Sequence, residues 1–376
     1  MSASRIPVTH VVNSLDPGGT ERLVIGMCRA LAADFDVEVL CLDRPGEWAG
    51  ELRAAGIAVH ALWRQPGLDA ALPAALAAQL RRHGTRIVHA HQCTAWFYAA
   101  LSRPLHPTPR LLLEEHGRFH PEVERPMRRM VNRLLLRRLT HRFVAVSADI
   151  RERLAVYEGL PRDLIEVVPN GVPAPSPLDP AARATRRAAL GLPDDAFVVG
   201  TVGRFDPIKN LPLLVDALAR VAPRVAALRA LLVGDGPEID AIRSRVAEAG
   251  LADRICFTGF RSDARELTQC MDLFVLSSHS EGLSVALLDA QAAGIPAVVT
   301  AVGGNPDVVA DAQTGWVVPP GDVDAMACAI GAAATDPDAC RRFGAAAARR
   351  HAEHFDWDGM LRRYRRLYRD MLGDAA

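Results

Sequence analysis

The sequence predicts an α/β chain of two Rossmann-like, doubly wound parallel-sheet domains, and three observations predict it. Short apolar runs alternate with longer segments of helical spacing along most of the chain. At 376 residues the chain is too long for one comfortable core and suits two domains. A strand running into a glycine turn opens the sequence at 8–13, and the pattern starts afresh at 197–203.

Taken in order, strand 8–13 leads through Asp16-Pro17-Gly18-Gly19-Thr20 into a helical pattern over 21–33. A strand, a glycine loop and a helix together bring backbone amides against a phosphate, although two glycines alone equally mark a tight turn. No G-x-G-x-x-G follows, which argues against a dinucleotide site. Further strands are expected at 37–42, 58–62, 87–91, 110–114 and 143–147, with helical segments such as the Ala/Leu-rich 70–83 between them. The strand at 110–114 ends in Glu114-Glu115-His116-Gly117-Arg118, and a histidine at a strand end is by itself an ordinary hydrogen-bonded residue. The stretch 125–142, RPMRRMVNRLLLRRLTHR, reads as one basic amphipathic helix, with Met127, Met130, Val131, Leu134 and Leu135 near one face and seven arginines over much of the remainder. Two readings stand side by side: contact with an anionic membrane surface or lipid phosphate, or a packed surface helix with a solvated arginine face.

Residues 173–195 are rich in Pro, Ala and charge and read as a linker and surface helix. The second domain opens with strand 197–203, followed by Arg204 and Lys209 in GRFDPIKN. Strands at 231–233, 255–257 and 273–276 then run into Gly234-Asp235-Gly236-Pro237, Thr258-Gly259-Phe260 and Ser280-Glu281-Gly282. A helix is expected over 283–293, stopped by Gly294 and Pro296, with Val298-Val299 as a strand and Gly303-Gly304 as a loop. Glu281 sits before or at the first helical turn and Asp289 eight residues on. On a regular helix that is roughly 12 Å along the axis, about a diphosphate with a sugar at one end and a ribose at the other. Read alone, the two acids are simply a first-turn acid and a solvated face residue.

Composition removes several classes of function. Basic and acidic residues balance at 44 each, so no overall field points to nucleic acid. An apolar fraction of 49% excludes general disorder. Seven cysteines without a C-x-x-C pair read as small buried apolar residues in a reducing compartment. The opening residues lack the apolar core of a signal peptide, and no apolar run is long enough to span a bilayer, so a cytoplasmic protein is expected. The D-x-D pairs at 34–36, 322–324 and 356–358 lie in no case at the carboxyl end of a strand near the other motifs, so no metal is expected.

The segment EGLSVALLDAQAAGIPAVVT followed by VGG resembles the signature of the family 4 glycosyltransferases, retaining enzymes of the GT-B fold. GGTER at 18–22, PNGV at 169–172, GRFDPIKN, GDGP, the F-x-G-F turn and FDW at 355–357 resemble further elements of that family, so the likeness covers nearly the whole chain. The resemblance implies a catalytic pair, Glu281 beside the donor sugar and His116 facing it. It implies donor contacts from Gly18 and Gly19 across a cleft, from Arg204 and Lys209 on the diphosphate, and from the Gly282, Leu283 and Ser284 amides near the phosphates. Asp289 would bind the ribose, where the family usually has glutamate, and Gly259 and Phe260 would meet the base. It implies an acceptor-side domain over 1–172, a nucleotide-sugar domain over 196–357, and a last helix, 358–376, packing back on the first domain. The expected activity is retaining transfer of a hexose or N-acetylhexosamine from a UDP- or GDP-linked sugar to a hydroxyl on a glycan or lipid-linked acceptor. Same-face attack is favoured over a covalent carboxylate intermediate, with no cofactor and no metal. The setting would be bacterial cell-surface polysaccharide or glycolipid synthesis on the inner face of the plasma membrane. A sugar-nucleotide epimerase of the same fold, and a non-catalytic membrane-docking scaffold, remain alternatives.

Overall fold

The computed structural model describes residues 5–117, 122–123 and 125–373. It divides into two compact units, Met1–Asn170 with Asp358–Ala376, and Gly171–Trp357.

In the first unit, strands β1 (Ile6–Val12), β2 (Phe35–Cys41), β3 (Ala58–Ala61), β4 (Ile87–His91), β5 (Arg110–Glu115), β6 (Arg142–Ala145) and β7 (Ile165–Val167) form one sheet. All pairs are parallel, in the order β3-β2-β1-β4-β5-β6-β7. Helices cover such a sheet on both faces, which is why β4 is buried at every position and reads as a continuous run without alternation. The order reverses between β1 and β4, and a crevice opens at the carboxyl ends of strands at such a point. The helix after β1 starts at Gly19 with Gly18 as its N-cap, two residues before the start the pattern gave. After β4, Gln92 holds a left-handed φ of 73°, an uncommon conformation for a side-chain-bearing residue, and receives a 3.0 Å hydrogen bond from Asn13.

The basic stretch departs from expectation. It is not one helix: an α-helix spans Pro126–Leu134, the chain breaks at Leu135, a 3-10 turn spans Leu136–Leu139, and β6 begins at Arg142. Leu136 is buried while Leu134 and Leu135 are exposed, and the break lets the chain turn that one leucine inward. Thr140 pins the end, donating to the Leu136 carbonyl and accepting from the Trp96 indole, both at 2.8 Å. Arg128, although 41% exposed, makes a two-pronged pair with the buried Glu158, at 2.9 and 2.7 Å.

The helix Trp357–Leu372 is amphipathic, and from Asp358 onward it lies in the first unit. It buries Leu361, Tyr364, Leu367, Tyr368 and Met371, sets Tyr368 edge-on to Phe35 at 5.3 Å, and pairs Arg365 with Asp34 at 2.7 Å. Arg118, quoted with the His-Gly turn, and residues 374–376 of the expected last helix lie outside the described residues.

The second unit carries β8 (Phe197–Val202), β9 (Leu228–Val233), β10 (Ile255–Gly259), β11 (Leu273–Leu276), β12 (Ala297–Thr300) and β13 (Gly315–Val318), all parallel, in the order β10-β9-β8-β11-β12-β13. Its reversal lies between β8 and β11. The segment expected as linker and surface helix contributes to this unit's interior. Arg187, on the helix Pro180–Ala189, is almost fully buried and bonds Asp272 at 2.7 Å and the Cys270 carbonyl at 3.0 Å. All seven cysteines are free, but only Cys28, Cys41 and Cys270 are buried and Cys328 is exposed, so the expectation of uniformly buried thiols is corrected.

Candidate active site

At the switch point of the second unit, the loops after β8 and β11 lie side by side. The first, from Gly203 to Asn210, is shaped by its neighbours. A Cβ on Gly234 would sit 1.8 Å from the Gly203 carbonyl oxygen, so only glycine lets the loop after β9 approach this one. Lys209 ends a 3-10 turn, and Asn210 takes a left-handed φ of 48°, which asparagine tolerates better than most residues. Two bonds tie this loop to the end of β11: Ser277 Oγ donates to the Lys209 carbonyl at 2.9 Å, and the His279 amide to the Ile208 carbonyl at 2.8 Å.

This arrangement puts Lys209 Nζ 2.7 Å from Glu281 Oε1, the same oxygen that accepts from Ser278 Oγ at 2.6 Å. The Glu281 side chain is 7% exposed and that of Lys209 25%, so the pair is largely desolvated yet open on the lysine side. The Gly303-Gly304 loop holds it from below. Gly303 has φ +55°, a Cβ there would lie 1.9 Å from the Glu281 carbonyl oxygen, and the Gly304 amide donates to the Gly282 carbonyl at 2.8 Å.

Glu281 is not on the helix. The helix is Val285–Ala292, with Ser284 as N-cap accepting from the Leu287 amide at 3.3 Å. Gly282 and Leu283 therefore belong to a loop, and the axial spacing of about 12 Å for a regular helix does not describe the two acids. The physical reason is the pull of Lys209 and Ser278, which turns Glu281 back toward the end of β8.

The other expected site residues are placed less uniformly. Arg204 helps line a small cavity with Gly203, Lys209, Ser277 and Ser278, but its guanidinium is 70% exposed and lies 3.8 Å from Asp206. Asp289, 17% exposed, faces Arg265 at 2.9 Å, a partner that sequence reasoning missed because nothing in RSDARELT sets that arginine apart. Burial raises the Asp289 carboxyl to about 6, against the opposing charge of Arg265. Gly259 ends β10 with φ +68° and accepts from the Gly234 amide at 3.0 Å; Phe260 beyond it is exposed. Gly18 and Gly19 open the first helix of the other unit.

His116 lies in the first unit, directly after β5, within a buried polar cluster. Strand register explains the cluster: His10 stands opposite His89, and His91 opposite Glu114. Residues two apart on a strand share a face, so His89 with His91, and Glu114 with His116, look the same way. His91 Nδ1 is 2.9 Å from His116 Nε2, and His91 Nε2 is 2.9 Å from His10 Nδ1. His89 lies 2.8 Å from Glu114 through Nε2 and 2.7 Å from the Tyr368 hydroxyl through Nδ1, and Tyr364 donates to Glu114 Oε1 at 2.5 Å. Burial lowers His91 and His116 to about 4, so both are neutral at pH 7. Burial alone would raise Glu114; the surrounding imidazoles, His116 foremost, outweigh it and hold the carboxyl well below its usual range. The signal for this cluster was in the sequence, as H-x-H on one strand and E-x-H on the next. Two of its triads, His10/His89/His91 and His91/Glu114/His116, also bring donor atoms within 4.8 Å of one another, spacing that metal ligands can have.

Two all-parallel, doubly wound units in one chain are the architecture of the GT-B class of α/β protein. Residues 17–174 match the family model for Glycosyltransferase Family 4, and residues 182–350 that for Glycosyl transferases group 1. The chain belongs to the family 4 glycosyltransferases. It is 35% identical over 237 residues to a D-inositol 3-phosphate glycosyltransferase of Nocardia farcinica, an alignment covering 59% of this chain and 52% of the relative; the chain thus spans about half the length of the curated relatives it matches. A glycosyltransferase structure from Rickettsia africae superposes with a TM-score of 0.87 at 20% identity, covering 99% of this chain and 100% of that one. Anabaena Alr3699/HepE in complex with UDP-glucose does so with 0.86 at 23% identity, covering 98% and 100%.

Proposed function

We propose that the protein is a retaining glycosyltransferase that moves a hexose or N-acetylhexosamine from a nucleotide-diphosphate sugar to a hydroxyl acceptor. The observation that carries this reading is the Lys209–Glu281 pair, held at the carboxyl edge of a parallel sheet where its strand order reverses. A diphosphate arriving there meets an ammonium and, close by, Arg204. Charge developing on the leaving phosphate is stabilised by cations that need little rearrangement. Glu281, with one oxygen engaged by Lys209 and Ser278, is suited to orienting sugar hydroxyls. That favours same-face attack, the leaving phosphate taking the acceptor's proton. UDP-glucose in the Anabaena relative supports a uridine donor. The GGTER and EHG segments, similar to bacterial exopolysaccharide-type transferases, support a cell-surface glycan or lipid-linked acceptor. Incubating the protein with a panel of UDP- and GDP-sugars and simple hydroxyl acceptors, with excess EDTA, tests this. Transfer or slow donor hydrolysis that persists in EDTA, with the anomeric configuration retained in the product's proton spectrum, is expected. Inversion, or activity that returns only with Mg²⁺ or Mn²⁺, contradicts it.

Asp289 provides a pH test of donor binding. Its folded value near 6 lies above that of an unfolded aspartate, so its contribution to stability is fullest below the ordinary carboxylate range and declines as pH rises toward 6. The ionised form is the one that accepts from two ribose hydroxyls. UDP affinity is therefore expected to fall as pH drops below about 6, and Asp289→Asn to flatten that profile while weakening binding at pH 7.5 by roughly 1.5–3 kcal/mol. Calorimetric titrations across pH 5–8 check this, and a flat wild-type profile would exclude Asp289 from the nucleotide site.

The basic segment supports attachment to an anionic membrane surface. Met127 is 67% and Leu134 54% exposed, and a cavity of about 460 Å³ there is lined by Arg125, Arg129, Met130, Arg133, Leu134 and Tyr157. Among the described residues, no helix is long and apolar enough to cross a membrane. Co-sedimentation with phosphatidylglycerol vesicles but not with phosphatidylcholine ones is expected, and its loss in Met130→Glu. Equal behaviour toward both vesicles would make this a solvated face.

A further inference from the structure

The first unit carries a cluster of buried imidazoles of its own. We propose that His10, His91 and His116 form a hydrogen-bonded imidazole chain, anchored beside Glu114, that fixes a proton on Nδ1 of His116; His10 and His91 are then positioning residues for that ring. The proposal deepens the reading of the protein as a glycosyltransferase and rests on it for its kinetic arm alone.

A neutral imidazole carries one N–H and one lone pair. His91 has both nitrogens engaged, Nε2 with His10 and Nδ1 with His116, each at 2.9 Å. Whichever bond it donates, it must accept in the other, so the chain has two arrangements. In one, His10 Nδ1–H donates to His91 Nε2, His91 Nδ1–H donates to His116 Nε2, and the proton of His116 stands on Nδ1. In the other every bond reverses, and His116 Nδ1 carries only a lone pair.

Glu114 selects the first arrangement. Its Oε2 lies 3.4 Å from His91 Nδ1 and 3.6 Å from His116 Nε2, so the carboxylate draws the His91 proton onto the nearer nitrogen. The carboxylate is itself held in place, by Tyr364 on Oε1 and by His89 beside Oε2. His89 in turn meets the Tyr368 hydroxyl. Burial and Glu114 both hold Tyr364 and Tyr368 well above the usual phenol range, so neither ionises at neutral pH. At the far end, His116 Nδ1 is buried and has no hydrogen-bond partner. A buried N–H left without a partner is costly, so His116 is a donor prepared for an oxygen acceptor, such as a sugar hydroxyl, that a ligand would bring.

Histidine-labelled protein, intact and without ligand, tests the chain through its ring ¹⁵N–¹H correlations. Wild type is expected to show His116 as the Nδ1–H tautomer. His10→Gln, whose side-chain amide can still donate to His91, should keep that pattern. His10→Phe, which cannot, should release it, giving a mixture of tautomers at His91 and His116 in a protein that remains folded by circular dichroism. In the kinetic arm, His10→Phe should lower kcat on the order of ten-fold with donor KM little changed, and His10→Gln should restore most of it. An Nε2–H tautomer at His116 in wild type, or His116 signals unmoved by His10→Phe, overturns the chain. So does stoichiometric Zn²⁺ moving all three rings into new slow-exchange positions, which would make the cluster a metal centre. The expected tautomers in a protein that transfers no sugar would support the chain and overturn the glycosyltransferase reading instead.

Discussion

Replacing Glu281 with glutamine is expected to lower turnover on the order of a hundred-fold while leaving nucleotide affinity nearly unchanged. Glutamine keeps the length of the side chain and can keep an oxygen toward Lys209 and Ser278, but the charge opposite Lys209 is gone and the second oxygen becomes an N–H donor. Groups that accept from sugar hydroxyls are thereby reversed, whereas those around the diphosphate remain. The effect belongs in kcat because the sugar must be held in line as its bond to phosphate stretches. Steady-state kinetics with calorimetry on the same variant separate the two quantities. Normal turnover in Glu281→Gln would mean that this carboxylate does not act on the sugar.

Lys209→Ala is expected to act on the opposite quantity. It removes the ammonium 2.7 Å from Glu281 and leaves a carboxylate that is only 7% exposed beside Ser278 alone. Losing one member of a buried charged contact costs roughly 2–5 kcal/mol, much of it from the group left behind. Affinity for UDP or GDP should therefore fall by well over ten-fold, with a lower melting temperature in the free protein. Arg204→Ala offers the contrast. Its guanidinium is 70% exposed and 3.8 Å from Asp206, so its loss should weaken the nucleotide without disturbing the free fold. Calorimetry and thermal unfolding on both variants check this, and unchanged affinity in both would remove the phosphate-binding assignment.

What was legible in the sequence was local. The apolar runs that became β4, β5, β8 and β11 could be placed within about a residue, because strands buried on both faces announce themselves by composition. β7, of three residues, and β13, of four and opened by a glycine, were too short to carry a pattern. The break at Leu135 was invisible because Leu134, Leu135 and Leu136 are alike as residues, and only packing decides that the third is the one to bury. Helical spacing likewise continued past the true helix start toward Glu281, whose place is set by a lysine 72 positions earlier in the chain. The histidine cluster is a different case. Its residues stood in the open as H-x-H and E-x-H, but their meaning depends on β1, β4 and β5 being neighbours, which strand order supplies and periodicity does not.

Binding of a nucleoside diphosphate by the second unit, through the loops after β8 and β11, is the expectation on which the proposed function stands. Calorimetric titration of the intact chain with UDP and with GDP, in EDTA, measures it most directly. Saturable binding of at least one of them at a single site per chain, weakened by Lys209→Ala, is expected. No heat and no shift in unfolding temperature with either nucleotide, or binding that survives Lys209→Ala undiminished, would contradict it.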